Sequence, residues 1–158
     1  MMGTPIAHQQ ISAFAKGLRC TTVEMFAPGS WSFIFENKLY LTVQCPWRIQ
    51  RESRIAITGE DHEQQFGLPS PLDAATEAMR ILSGLHIENV NILEQTGDID
   101  FEFDHGTRMN LFNNSSGYEG WSCSTPTGLR VIGMGGGGTT CWEQLDVDTT
   151  LTSGAKEH

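Results

Sequence analysis

Positive charge is scarce in this chain. Ten Lys and Arg stand against 19 Asp and Glu, giving a formal net charge of −9 and a sequence pI near 4.9. Direct nucleic-acid binding needs clustered Lys and Arg against phosphate, and no such cluster is present. Long apolar runs are also missing, so no segment reaches the roughly 20 residues that span a bilayer. Met1 to Gln10 lacks the basic-then-apolar order of a secretory signal, so a cytoplasmic location without a membrane partner is expected.

Cysteine is sparse and unpaired in spacing. Cys20, Cys45, Cys123 and Cys141 form no Cys-x-x-Cys pair. That removes the usual zinc signature, and a reducing compartment argues against a disulfide framework. Buried reduced thiols and no cofactor or metal are expected. The Gly-x-Ser-x-Gly elbow of serine hydrolases is absent. The run Gly133-Met-Gly-Gly-Gly-Gly-Thr-Thr lacks the Lys a phosphate loop needs, and Cys141-Trp-Glu-Gln-Leu after it reads as a strand. A glycine-rich strand connection is the reading that remains.

What the chain does have is an internal echo. Val23, Met25 and Phe26 correspond to Val90, Ile92 and Leu93, about 67 residues on. Trp31, Phe33 and Phe35 correspond to Ile99, Phe101 and Phe103, and Leu41 and Val43 to Met109 and Leu111. Each set comes after a helical stretch, Ile6 to Lys16 and Leu72 to Ser83, ended by Gly17 and Gly84. Alternating strands then run from Arg19 to Cys45 and from Ile87 to Phe112, with Pro46-Trp47-Arg48 breaking the alternation before a short strand at Ile55 to Thr58. The pattern predicts an α+β fold: two tandem helix-plus-antiparallel-meander repeats packed as one domain with a pseudo-two-fold. Repeat one covers 6–58, a linker loop 59–70, and repeat two 71–145; the single domain covers 1–148, and 149–158 is a flexible tail.

Differences between the copies point to function. Asp98, Asp100, Glu102 and Asp104 alternate with Ile99, Phe101 and Phe103, so period two puts the four acids on one strand face. The first copy has Ser30, Ser32, Ile34 and Glu36 there. The plain reading is a solvated face with Arg108 as counterion; the functional one is a docking face for a basic partner. Metal ligands must converge, and glycosidase acids must face each other across a cleft; a flat row suits neither. Tyr118, Glu119 and Trp121 offer large rings with polar tips between glycines, as interface anchors or as core filling. Asp61-His62-Glu63 in the linker places acid beside His, which suits a ligand or acid–base loop or simply a polar loop.

Five segments together resemble a family of small bacterial proteins without an assigned activity. They are Cys45-Pro-Trp-Arg, Glu60-Asp-His-Glu-Gln-Gln-Phe-Gly, Gly97-Asp-Ile-Asp-Phe-Glu-Phe, Ser116-Gly-Tyr-Glu-Gly-Trp and the glycine run, in that order across Gly17 to Gly138. Some members lie beside polymorphic toxin genes, as immunity proteins do. The resemblance implies an accessory binding protein and supplies no catalytic residues. The expected function is therefore an immunity protein that occludes the active site of a basic, cytosol-acting toxin. The alternatives are a small enzyme or ligand-binding protein using Asp61, His62 and Glu63, and a homodimeric structural or regulatory module.

Overall fold

The computed structural model describes residues 3–143. Helix α1 spans Thr4–Ala15 and α2 spans Ala74–Leu82. The first strands are β1 (Cys20–Ala27), β2 (Ser30–Phe35), β3 (Leu39–Val43), β4 (Trp47–Arg51) and β5 (Arg54–Thr58). After α2 come β6 (Ile87–Ile92), β7 (Ile99–Phe103), β8 (Arg108–Leu111), β9 (Trp121–Ser124), β10 (Leu129–Gly133) and β11 (Thr139–Glu143). The glycine run joins β10 to β11.

The expected α+β repeat is not what forms. The described residues are mostly β, with eleven strands in two antiparallel sheets and only two α-helices. One sheet has the order β1-β2-β3-β9-β10-β11 and the other β5-β4-β8-β7-β6. The reason is an exchange. After its third strand, each half of the chain crosses to the opposite sheet. Thus β4 pairs with β8, Trp47 opposite Leu111, while β9 pairs with β3, Trp121 opposite Val43. Pro46 does not end strand structure, as the sequence suggests; it marks the crossing, and Trp47 begins a strand at once. The helices are exchanged too: α1 packs on β6 of the other half and α2 on β1. Neither half is a helix backing its own meander.

Alternation explains the layers. Trp31, Phe33 and Phe35 point inward from β2, as do Ile99, Phe101 and Phe103 from β7. Their rings meet between the sheets, with Phe35 stacked on Phe101 at 6.1 Å and on Phe103 at 6.5 Å. Trp47 joins them edge-on to Phe33 at 5.2 Å. Face-to-face sheets with interdigitated inner residues give one shared core. Cys20, Cys45, Cys123 and Cys141 all lie within it. Tight hairpins close β2–β3 and β7–β8, each with a left-handed residue, Asn37 at φ 55° and His105 at φ 61°. Asn and His tolerate that region better than branched residues do.

The helices seal the seams between sheet edges. Helix α1 lies along the edge strand β6 of one sheet and touches β10 and β11 of the other; α2 lies along β1 and touches β5. The start of α2 is set by Asp73, whose carboxylate accepts the Thr76 N–H at 3.1 Å. Covering edges in this way removes templates for aggregation. The end of the expected second repeat beyond 143 and the tail 149–158 lie outside the described residues.

One seam carries a titratable group. His8 on α1 is buried, and its Nε2 meets the Thr139 hydroxyl on β11 at 2.8 Å. Burial lowers its pKa below the ordinary histidine value, opposed by the nearby Glu94 carboxylate. The unfolded chain binds a proton at His8 near the ordinary value of about 6.5, whereas the folded chain resists it. Stability therefore falls as pH drops through that value toward the lowered one, and is recovered above it. Replacing His8 by Gln is expected to flatten this dependence in urea midpoints measured between pH 7 and 5; an unchanged slope would mean that His8 carries none of it.

Candidate functional site

The acidic row lies on the outward side of β7, and each of its members already has a partner. Asp98 accepts the Asn113 N–H at 2.8 Å. Asp100 pairs with Arg108 and accepts from Asn110 Nδ2 at 3.0 Å. Glu102 stands 3.7 Å from the same guanidinium. Asp104 accepts the His86 N–H and meets its Nδ1, both at 2.8 Å. Those bonds hold the Asp104 carboxyl below the usual range, with the backbone N–H the leading cause. Partial burial pushes Asp100 the other way, against the pull of Arg108. Glu36 in the first half binds Arg19 as Asp104 binds His86, accepting its N–H at 2.9 Å and its guanidinium at 2.8 Å. The end of the row is thus scaffold in both halves.

Tyr118 and Trp121, three residues apart, part company. Tyr118 is 81% exposed, with Glu119 exposed beside it. Trp121 is 2% exposed and its Nε1 donates to the Gly97 carbonyl at 2.7 Å. It is a core residue, not a surface anchor, because β9 starts at Trp121 and turns its side chain between the sheets. The loop bearing Tyr118 is braced. The Ser115 hydroxyl accepts the N–H groups of Gly117 and Tyr118, at 3.1 and 2.9 Å, and the Ser115 carbonyl accepts that of Gly136 at 2.8 Å.

Asp61, His62 and Glu63 do not converge. Asp61 closes a capping box with Thr58. His62 Nδ1 accepts the Ala74 N–H at 3.1 Å, so its neutral ring carries the proton on Nε2. Its ring stands edge-on to Trp31 at 5.6 Å. The exposed Glu63 occupies a left-handed conformation at φ 69°.

A cleft of about 490 Å³ opens under this loop, lined among others by Met25, Pro28, Trp31, Trp47, Gly59, Glu60, His62 and Glu63. A second hollow of about 320 Å³ adjoins it through Gly29, Gln44 and Cys45, and is lined by Tyr118 and Glu119. Two loops far apart in sequence therefore border one groove. Asp61 and the four acids in and beside β7 line neither hollow.

The groove has a closed counterpart in the other half. Trp47 and Trp121 begin equivalent strands, each with a glycine twelve residues on, Gly59 and Gly133. A Cβ on Gly59 would sit 2.6 Å from Trp47 Nε1, and one on Gly133 would sit closer still to Trp121 Nε1. Only glycine admits either indole. In the second half, Asn113 Nδ2 clamps the surroundings shut by donating to the carbonyls of Thr96 at 2.7 Å and Met134 at 2.9 Å. Gly97 then comes close enough for its carbonyl to take the Trp121 N–H. In the first half Cys45 stands where Asn113 stands, and Trp31 where Ile99 stands. The clamp is missing, and Trp47 Nε1 is buried without a partner. Sequence reasoning overlooks Trp47, Gly59, Cys45 and Asn113; the shared Trp-to-Gly spacing is the signal that finds them.

Chemically, the groove offers donors rather than a reactive pair. Burial pushes the Cys45 thiol up to about 12, so it stays protonated at neutral pH. Among the described residues, no group of three or more His, Cys, Asp or Glu is placed to hold a metal ion. No helix among them is long and apolar enough to cross a membrane. No protein-family model, curated protein or solved structure matches this chain.

Removing the clamp tests the comparison of the two halves. Asn113→Ala leaves two carbonyls without their donor and is expected to cost about 2 kcal/mol in denaturant unfolding. A loss below about 0.5 kcal/mol, on the order of a surface change, would contradict a structural role for the clamp.

Proposed function

We propose that the protein is an immunity-type binding protein that acts in the cytoplasm, pairing stoichiometrically with a basic toxin domain and covering its active site. The observation that supports this reading is Tyr118: a large ring, 81% exposed, on a loop whose backbone is already fixed by Ser115. An exposed aromatic on a braced loop binds with little ordering cost, which is the character of an interface anchor. Glu119 beside it and the net charge of −9 suit a basic surface and would speed encounter with one.

Within the acidic row, Glu102 is the acid with the longest contact to its cation. It is the member best placed to serve a partner; Asp98 and Asp104 hold backbone N–H groups. Ligand binding under the His62 loop is a second reading, favoured by the cleft and the unpartnered Trp47 Nε1.

The test is co-expression with the polypeptide encoded immediately upstream. That polypeptide is expected to be toxic alone, to be neutralised by this protein, and to form a one-to-one complex with it. Tyr118→Ala is expected to weaken the complex about 30-fold, the size of a hot-spot truncation near 2 kcal/mol, while the melting temperature stays put. Glu102→Gln should flatten the salt dependence of association. Absence of a complex, or unchanged affinity in Tyr118→Ala, would count against the proposal.

A further inference from the structure

Trp47 Nε1 is a strong donor in a place where donors are almost always used. The side chain is 2% exposed, the nitrogen is screened from solvent, and no acceptor meets it. Buried indole N–H groups ordinarily have a partner, and leaving one bare is costly. The nitrogen lies against Gly59, which lines the same cleft as Trp47 itself. The fold also contains the answer to what such an atom takes. In the other half the equivalent Trp121 Nε1 is satisfied by a main-chain carbonyl, that of Gly97, at 2.7 Å.

We propose that the cleft beside Trp47 opens locally to bind a neutral amide carbonyl, whose oxygen accepts the Trp47 Nε1 hydrogen. The ligand supplies what the Gly97 turn supplies in the second half. Glu60 and Glu63 at the mouth disfavour an anionic acceptor such as a carboxylate. His62 adds a second donor at Nε2, because its Nδ1 is committed to Ala74. Met25, Pro28 and Trp31 provide apolar walls for the rest of the molecule. The carbonyl can come from a free small amide or from the backbone of a polypeptide; the site does not depend on the identity of any toxin.

The experiment is an amide titration of the intact, nitrogen-15-labelled protein, following the indole N–H signals of its four tryptophans. The probes are N-methylacetamide, acetyl-Gly-Gly-methylamide, and acetate as the anionic control. The Trp47 signal is expected to move downfield saturably with either amide, while the Trp121 signal stays in place and acetate moves neither. Trp47→Phe keeps an aromatic side chain, smaller than the indole, and deletes the donor; amide binding by calorimetry should weaken at least tenfold. If that variant does not fold, the wild-type titration decides, with Trp47 assigned through the Trp31 ring 5.2 Å away. Saturation at lower concentration with the peptide identifies a polypeptide backbone as the source, and equal saturation a small amide. The proposal is overturned if neither amide moves the Trp47 signal. It is overturned equally if acetate moves that signal as much, or if it only tracks the exposed Trp142, which is 64% accessible.

Discussion

Everything in this molecule hangs on the two central strand pairings that join its halves. β3 with β9 and β4 with β8 are the ladders that turn two short meanders into sheets of six and five strands. Without them each half has a three-stranded meander, a loose set of two or three further strands and a helix with nothing of its own to cover. With them, the aromatic faces of β2 and β7 are brought together, the helices gain seams to seal, and both tryptophan pockets come into being.

The pockets show how one framework yields two outcomes. The backbone plan is shared down to the glycine that admits each indole. Loop length and side-chain identity then differ: six residues, 93–98, join β6 to β7 where two, 28–29, join β1 to β2. An amide at Asn113 can donate to two carbonyls at once and draws the turn at Gly97 inward. The Cys45 thiol is a weak donor with little reach, and the short turn at Pro28 and Gly29 lines an open cleft beside it. Trp31, larger than the Ile99 it replaces, fills part of the space edge-on to Trp47. One half of the fold thus satisfies its indole donor internally and leaves only the Asn113 Oδ1 acceptor bare, while the other half retains an unused indole donor on a residue that lines a groove.

Sequence patterning conveys the strands well, because alternation is a local property of β structure. Trp31, Phe33 and Phe35 turn inward as their spacing requires, and the turns at Asn37 and His105 fall between matched runs. Partner choice is not local. Nothing in the period of β4 says that it lies beside β8 rather than β3, so the same matches suggest two self-contained units where the chain makes interlocked ones. The site is less legible for a related reason. Tyr118 and Trp121 have the same chemistry on paper, and only the strand start at Trp121 sends one ring to solvent and the other to the core. The row from Asp98 to Asp104 is legible as a face, but its commitments to Asn113, Arg108 and His86 are not.

The exchange of strands between the sheets bears on how the chain acquires this structure in time. Strand β3 ends at Val43, yet its neighbour on one side begins at Trp121. A chain emerging from the ribosome at about 5–20 residues per second must therefore hold an unpaired, apolar β3 edge for several seconds before its partner is synthesised. Long-range pairing of this kind also slows folding, since loop closure precedes the contacts that reward it. The arrangement that gives the finished protein its shared core thus exposes its first half to misassociation during synthesis, and makes that half unable to serve as a fragment on its own.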